Sequence, residues 1–192
     1  PNNHTNNHKR LLHMAMLSRA LYSTLLLLLL PFVLLRLLWK MTQDPCYRHK
    51  CSERFGFFHT PPMRACVWIH TVSLGEAIAA TPLIMKIHQH HPNKLLLITT
   101  TTPTGAAWVN KQFKTIATHA YLPYDHPWLI KRFFRHFKPS IGIIMETELW
   151  PNTLHLAKKH AIPMLLANAR LSERAFARYK RIPNITNSML NQ

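Results

Sequence analysis

Acidic side chains are scarce in this sequence: 7 Asp and Glu stand against 24 Lys and Arg, a formal charge of +17 over 192 residues. The imbalance points to an anionic partner, and charge alone leaves open anionic lipid, nucleic acid, a phosphorylated substrate or a mere compositional bias. It also makes each carboxylate informative, because beyond residue 64 the acids are Glu76, Asp125, Glu146, Glu148 and Glu173. Glycine is rarer still. Gly56, Gly75, Gly105 and Gly142 are the whole set, which excludes a Gly-x-Gly-x-x-Gly fingerprint and a Walker phosphate loop. The cysteines, Cys46, Cys51 and Cys66, are odd in number, and the first two stand too far apart for a Cys-x-x-Cys metal or redox pair. They read as reduced bystanders. Fourteen histidines are present, yet none has zinc-ligand spacing, so no metal is expected. His88, His90 and His91 close a helical segment before Pro92, where positive charge suits the helix dipole.

One long apolar run is present. No charge occurs between Arg19 and Arg36, and Leu25 to Leu30 is unbroken leucine, followed by Pro31 and Phe32 to Leu35. Leucine on every face disfavours a core helix, and Arg36, Trp39 and Lys40 after the run disfavour a cleaved signal. The reading is a membrane anchor helix over residues 20–40, near the roughly 20 apolar residues a span requires, either crossing the bilayer or lying in its interface. Three basic residues precede it (Lys9, Arg10, Arg19) and five follow (Arg36, Lys40, Arg48, Lys50, Arg54); this balance puts the downstream chain on the cytoplasmic side. Residues 1–19 form a polar, basic extension, and residues 41–61 a basic juxtamembrane segment near anionic head groups.

From residue 66 onward, short apolar runs alternate with longer amphipathic ones. Strands are expected at Cys66 to His70, Leu95 to Thr99, His119 to Leu122, Ile141 to Met145 and Pro163 to Ala167. Helices are expected at Ala77 to His88, Gly105 to Phe113, Pro127 to Phe137, Asn152 to His160 and Glu173 to Lys180. Such alternation predicts an α/β domain over residues 62–183, a Rossmann-like parallel sheet with helices on both faces.

Ligands of such sheets lie beyond the carboxyl ends of the strands. Every polar cluster of the chain follows a strand: Ser73-Leu74-Gly75-Glu76, Thr99 to Gly105, Pro123-Tyr124-Asp125, Glu146 to Asn152, and Asn168-Ala169-Arg170-Leu171-Ser172. Glu76, after the permissive Gly75 and in the first turn of a helix, is placed to stay ionised and accept a proton. Ser73 and Glu76 equally satisfy a Ser-x-x-Glu capping box. Glu148 pairs as readily with a lysine, and Arg170 either binds an anion or pairs with Glu173. Lys131, Arg132, Arg135 and Lys138, interleaved with Phe133, Phe134 and Phe137, fit a helix with an aromatic inner face and a charged outer one, within reach of anionic head groups.

These clusters, together with Tyr47-Arg48 and Glu53-Arg54-Phe55-Gly56-Phe57, resemble the amino-terminal domain of bacterial 3-deoxy-D-manno-octulosonic acid (Kdo) transferases, from the anchor to about Tyr179. The resemblance implies a two-domain glycosyltransferase of the GT-B class at the cytoplasmic side of the inner membrane. Its first domain binds a lipid A precursor as acceptor and its second binds the donor CMP-Kdo, with no metal, no cofactor and no nucleic-acid partner. It implies Glu76 as the general base that deprotonates the acceptor hydroxyl in an inverting transfer, and Glu146 as a second catalytic residue, an acidic side chain that stabilises the transition state. Ser73, Gly75, Thr101, Thr104, Glu148, Asn168 and Arg170 become acceptor-binding residues. Thr71 and Leu74 depart mildly from the family's usual Ser and Val. No donor-binding domain is recognisable before Gln192, so the expectation is a fragment inactive by itself. The competing expectation is a noncatalytic membrane-bound module that binds anionic lipid or nucleic acid.

Overall fold

The computed structural model describes the backbone of residues 2–146 and 150–168 and the side chains of residues 16–146 and 150–168. Glu148, Arg170 and the helix expected over Glu173 to Lys180 lie outside the described residues. A long helix, α1 (Asn2–Gln43), runs well past both ends of the expected anchor and leads into two 3-10 stretches, Pro45–Tyr47 and Cys51–Phe55. Strand and helix then alternate as β1 (Cys66–His70), α2 (Leu74–His90), β2 (Leu96–Thr100), α3 (Pro103–Phe113), β3 (Ala117–Tyr121), α4 (Pro127–Phe137), β4 (Pro139–Met145), α5 (Pro151–Lys159) and β5 (Met164–Ala167).

Local chemistry explains the boundaries. Pro103, Pro127 and Pro151 each open a helix, where a fixed φ helps and the missing N–H would have had no partner. The Thr102 hydroxyl accepts the Gly105 amide at 3.2 Å and caps α3. α2 starts earlier than the periodicity suggested because Ser73 already adopts the extended backbone of an N-cap. β4 starts earlier too, at Pro139, since the first position of a strand tolerates a residue without an N–H.

All five strands are parallel, in the order β3-β2-β1-β4-β5. β1 is central, and the sheet grows first to one side of it and then to the other. Period-two alternation sorts its residues between two cores. Val67, Ile69, Leu96 and Ile98 pack against Ala77, Ala80 and Ile84 of α2 and Val109 and Phe113 of α3. Trp68 and Leu97 face the other way, onto Phe133 and Phe137 of α4 and Leu156 and Ala157 of α5. Gly142 makes the second core possible: a Cβ there would lie 2.5 Å from Met164 Sδ and 2.9 Å from Trp68 Cε3. Cys66, buried in this core, donates from Sγ to the Phe137 carbonyl at 3.3 Å, and burial pushes its thiol up to about 12. All three cysteines are free thiols.

The segment 45–58 belongs to the domain rather than trailing beside it. Glu53 is fully buried, its Oε2 accepting the Tyr121 amide at 2.9 Å, and Arg132 Nε donates to the Gly56 carbonyl at 2.9 Å. Gly56 holds this contact with a φ of 74°, a region side-chain-bearing residues avoid. Along α1, residues 18, 19, 22, 23, 26, 30, 33, 37 and 40 are half-buried or buried, whereas Leu17, Leu21, Leu25, Leu28, Phe32, Leu35 and Trp39 are exposed. Both stripes follow steps of three and four residues, so one face of the helix packs on the domain and the other is open and apolar.

Candidate functional site

Parallel strands put the described residues of the polar clusters at one edge of the sheet, residues 147–149 and 169–172 lying outside the described residues, and hydrogen bonds link the strand ends there. The Val72 carbonyl, after β1, accepts both the amide and the hydroxyl of Thr101, after β2, at 3.1 and 2.9 Å. The Leu122 amide, after β3, donates to Thr100 at 3.1 Å. The Asn152 and Thr153 amides of α5 donate to Asp125 at 3.0 and 2.8 Å. The Glu146 amide, after β4, donates to Ala167 at the end of β5 at 2.9 Å. β1 and β4 are neighbours whose connections leave in opposite directions, so the crevice of this topology opens between the loops that follow them.

Glu76 lies in the first turn of α2 and is 7% exposed. Its Oε2 accepts the Val72 amide at 2.7 Å and its Oε1 accepts the Ser73 hydroxyl at 3.1 Å. This is not the reciprocal capping box: Ser73 donates to the carboxylate instead of accepting an amide, and no side-chain cap closes α2. The carboxylate therefore sits among donors at a helix amino terminus.

Gly75 needs no special conformation, and a Cβ there would meet only Ser73 Oγ, at 3.9 Å. Its bareness leaves the helix terminus open to approach from outside. Gly105 is different, since a Cβ there would come within 3.4 Å of the Ser73 carbonyl carbon; it lets α3 close on the loop that carries Glu76. Thr104 is exposed, its hydroxyl 3.4 Å from that of Thr102. Glu146 and Asn168 both adopt left-handed backbone, with φ of 58° and 53°, Glu146 half-buried and Asn168 exposed. Asparagine tolerates that region, whereas a glutamate there is strained by about 1 kcal/mol or more. The strain falls beside the crevice.

Between α1 and the strand ends lies a cleft of about 470 Å³, lined among others by Val33, Leu37, Val72, Thr101, Tyr124 and Trp150. Thr101 is the one proposed acceptor residue in its described lining; Glu76 reaches it through Val72, whose amide Glu76 holds and whose carbonyl Thr101 holds. Asp125 borders the same cleft. Burial pushes its carboxyl up to about 6, opposed by its hydrogen bonds from Thr153, Asn152 and Tyr22. Arg54 and Arg36 also line it; from sequence Arg36 reads as a basic flank of the anchor, and Arg54 as such a flank and as part of the Glu53-Arg54-Phe55-Gly56-Phe57 resemblance, neither as a site residue. Arg54 stands next to Glu53, one of only seven acids, and that was the available signal. Among the described residues no group of three His, Cys, Asp or Glu side chains converges.

Residues 49–192 match the family described as 3-deoxy-D-manno-octulosonic-acid transferase (kdotransferase). The 3-deoxy-D-manno-octulosonic acid transferase of Haemophilus influenzae is 40% identical over 177 residues, 91% of this chain and 41% of that protein. A Rickettsia bellii protein of the same name is 37% identical over 164 residues, 84% of this chain and 38% of its own. A probable mitochondrial 3-deoxy-D-manno-octulosonic acid transferase of Arabidopsis thaliana is 36% identical over 152 residues, covering 78% and 34% respectively. The chain thus spans about two fifths or less of the length of these relatives. With its parallel α/β sheet and apolar amino-terminal helix, the chain belongs to the Kdo transferase family of glycosyltransferases.

Proposed function

We propose that this domain binds a lipid A precursor and presents one of its sugar hydroxyls to CMP-Kdo, held by a second domain of the GT-B pair. The observation that carries the reading is the Glu76 carboxylate, set in the first turn of α2 and held by Val72 and Ser73 beside the β1–β4 crevice. In this mechanism Glu76 takes the proton of the acceptor hydroxyl, the oxygen attacks the anomeric carbon of Kdo, and CMP departs from the opposite face with inversion. Glu146 acts in the transition state from the end of β4. Ser73, Thr101, Thr104 and Asn168 supply hydrogen bonds to the acceptor sugar, and Gly75 lets it approach the helix. Glu148 and Arg170 complete the acceptor set. No metal or cofactor takes part.

The membrane completes the proposal. α1 lies along the bilayer surface at the cytoplasmic face of the inner membrane. Its bonded domain contacts run at least from Tyr22, bonded to Asp125, and Ser23, bonded to Asn152 at 3.1 Å, to Lys40 in the cleft, 18 residues or roughly 27 Å of helix. A span nearly the thickness of the hydrocarbon layer would drag those contacts into lipid. An in-plane helix instead buries its open leucine stripe and holds the cleft at the head groups, where the acceptor is found.

The test joins this chain to the carboxyl-terminal part of the Haemophilus influenzae relative and assays Kdo transfer from CMP-Kdo to a lipid A precursor. The 192-residue chain alone is expected to bind acceptor without transfer, the fusion to transfer, and Glu76→Gln in the fusion to lose about 100- to 10,000-fold in rate. An unchanged rate in Glu76→Gln removes the base assignment.

A further inference from the structure

We infer that the cleft between α1 and the strand ends is a phosphate-binding subsite, in which Arg54, Arg36 and Lys40 clamp a phosphomonoester. The inference rests on the acceptor reading for the identity of the phosphate-bearing molecule, but not for the site itself.

Arg54 is the decisive residue. It is only 6% exposed, it lines the cleft, and its Nε and Nη2 are buried with no hydrogen-bond partner. Its guanidinium lies 4.2 Å from the centre of the Tyr121 ring and 5.8 Å from that of Tyr47. These rings fix the plane of the fork and leave its N–H edge unused. A buried guanidinium with idle donors asks for an oxyanion, and planar two-point donation suits phosphate or carboxylate.

Two more cations converge from α1. Arg36 is exposed at the mouth, and Lys40 Nζ sits 4.8 Å from the Tyr47 ring centre and donates to its hydroxyl at 3.1 Å. Three positive groups around one cleft exceed what a single carboxylate balances and match a dianion. Among the described residues, the acids at or near the cleft are already engaged. Asp125 is bonded to the α5 amides and to Thr153, and Glu53, next to Arg54 in the chain, is turned to the Tyr121 amide and 3.7 Å from Lys50. Thr101, Thr102 and Tyr124 line the same space, polar residues suited to a sugar that carries the phosphate. The apolar Val33 and Leu37 continue the wall along α1, on the side where an acyl chain would leave.

The experiment titrates the 192-residue chain, in nanodiscs of uncharged net phosphatidylcholine, at fixed ionic strength. Its probes are a doubly phosphorylated glucosamine disaccharide without acyl chains, the same disaccharide without phosphates, and inorganic phosphate. Binding of the phosphorylated disaccharide is expected to weaken at least tenfold in Arg54→Met and in Arg36→Gln/Lys40→Gln. Circular dichroism checks folding. Should Arg54→Met unfold, the exposed-side double variant decides. Equal affinity of wild type and the double variant for the phosphorylated disaccharide overturns the subsite. If both disaccharides bind alike and neither responds to these variants, the acceptor reading stands without it. If inorganic phosphate alone binds, and Arg54→Met or the double variant abolishes that binding, the subsite stands and the acceptor reading falls.

Discussion

Asp125 Oδ1 receives both the amide and the hydroxyl of Thr153, at 2.8 and 2.7 Å, so one carboxylate at the end of β3 fastens the amino terminus of α5. Its Oδ2 takes the Asn152 amide at 3.0 Å, and Tyr22 of α1 adds a further bond. A single buried acid thereby joins two loops of the sheet edge to the anchor helix. Asp125→Ala is expected to lower stability by about 2 kcal/mol or more, because it leaves two helix amides without an acceptor. Tyr22→Phe in that background should cost little more. Urea unfolding of the four combinations measures the coupling, and strictly additive losses would mean that Tyr22 and Asp125 act separately.

Gly75 separates folding from function. Since a Cβ meets nothing closer than 3.9 Å, Gly75→Ala is expected to leave the protein as stable or up to about 1 kcal/mol more stable, by removing glycine's helix penalty. Acceptor affinity should nevertheless fall, about tenfold, if the sugar approaches α2 there. Thermal unfolding and acceptor titration on the same sample check both halves; unchanged affinity would remove Gly75 from the acceptor set.

Acid should loosen the sheet edge. His70 and His119 are buried in strands, and burial pushes them down to about 4 and about 3, His119 also facing Lys50, Arg54 and His49. Their folded pKa values lie below the unfolded 6.5, so their contribution is complete above about pH 6.5 and is lost as pH falls toward 4 and then 3. Asp125 runs the other way: raised to about 6, it favours the folded state at low pH and loses that effect as pH rises through 6. The histidine shifts are together the larger. The melting temperature should therefore drop between pH 6.5 and 4, and His119→Gln should flatten the drop. A flat profile in the unmodified chain would contradict the burial of both imidazoles.

The lie of α1 is open to depth measurement. Spin labels replacing Leu21 and Trp39, both on the exposed stripe, should report equal depths, roughly 5 to 10 Å below the head groups, if the helix lies in the plane. One shallow and one deep label, or labels near opposite faces, would indicate a span.

Much of this was legible before any coordinates. Alternating apolar runs dictate strands and helices, and Pro103, Pro127 and Pro151 mark helix starts, because periodicity and proline stereochemistry act over a few residues. The placement of polar residues after the strands was equally readable for the residues described. The capping-box reading of Ser73 and Glu76 did not survive in its reciprocal form, since spacing specifies proximity but not which group donates.

The chain order of its residues determined, unaided, that this protein is a parallel α/β domain with an apolar leader and a polar rim, because these follow from local period and from the handedness of crossovers. Tertiary structure alone decided that Arg54 is buried with idle donors, that Asp125 is a structural clasp, and that α1 has one face against the domain. Those outcomes depend on contacts between segments up to 129 residues apart, such as Ser23 with Asn152, which no local pattern encodes.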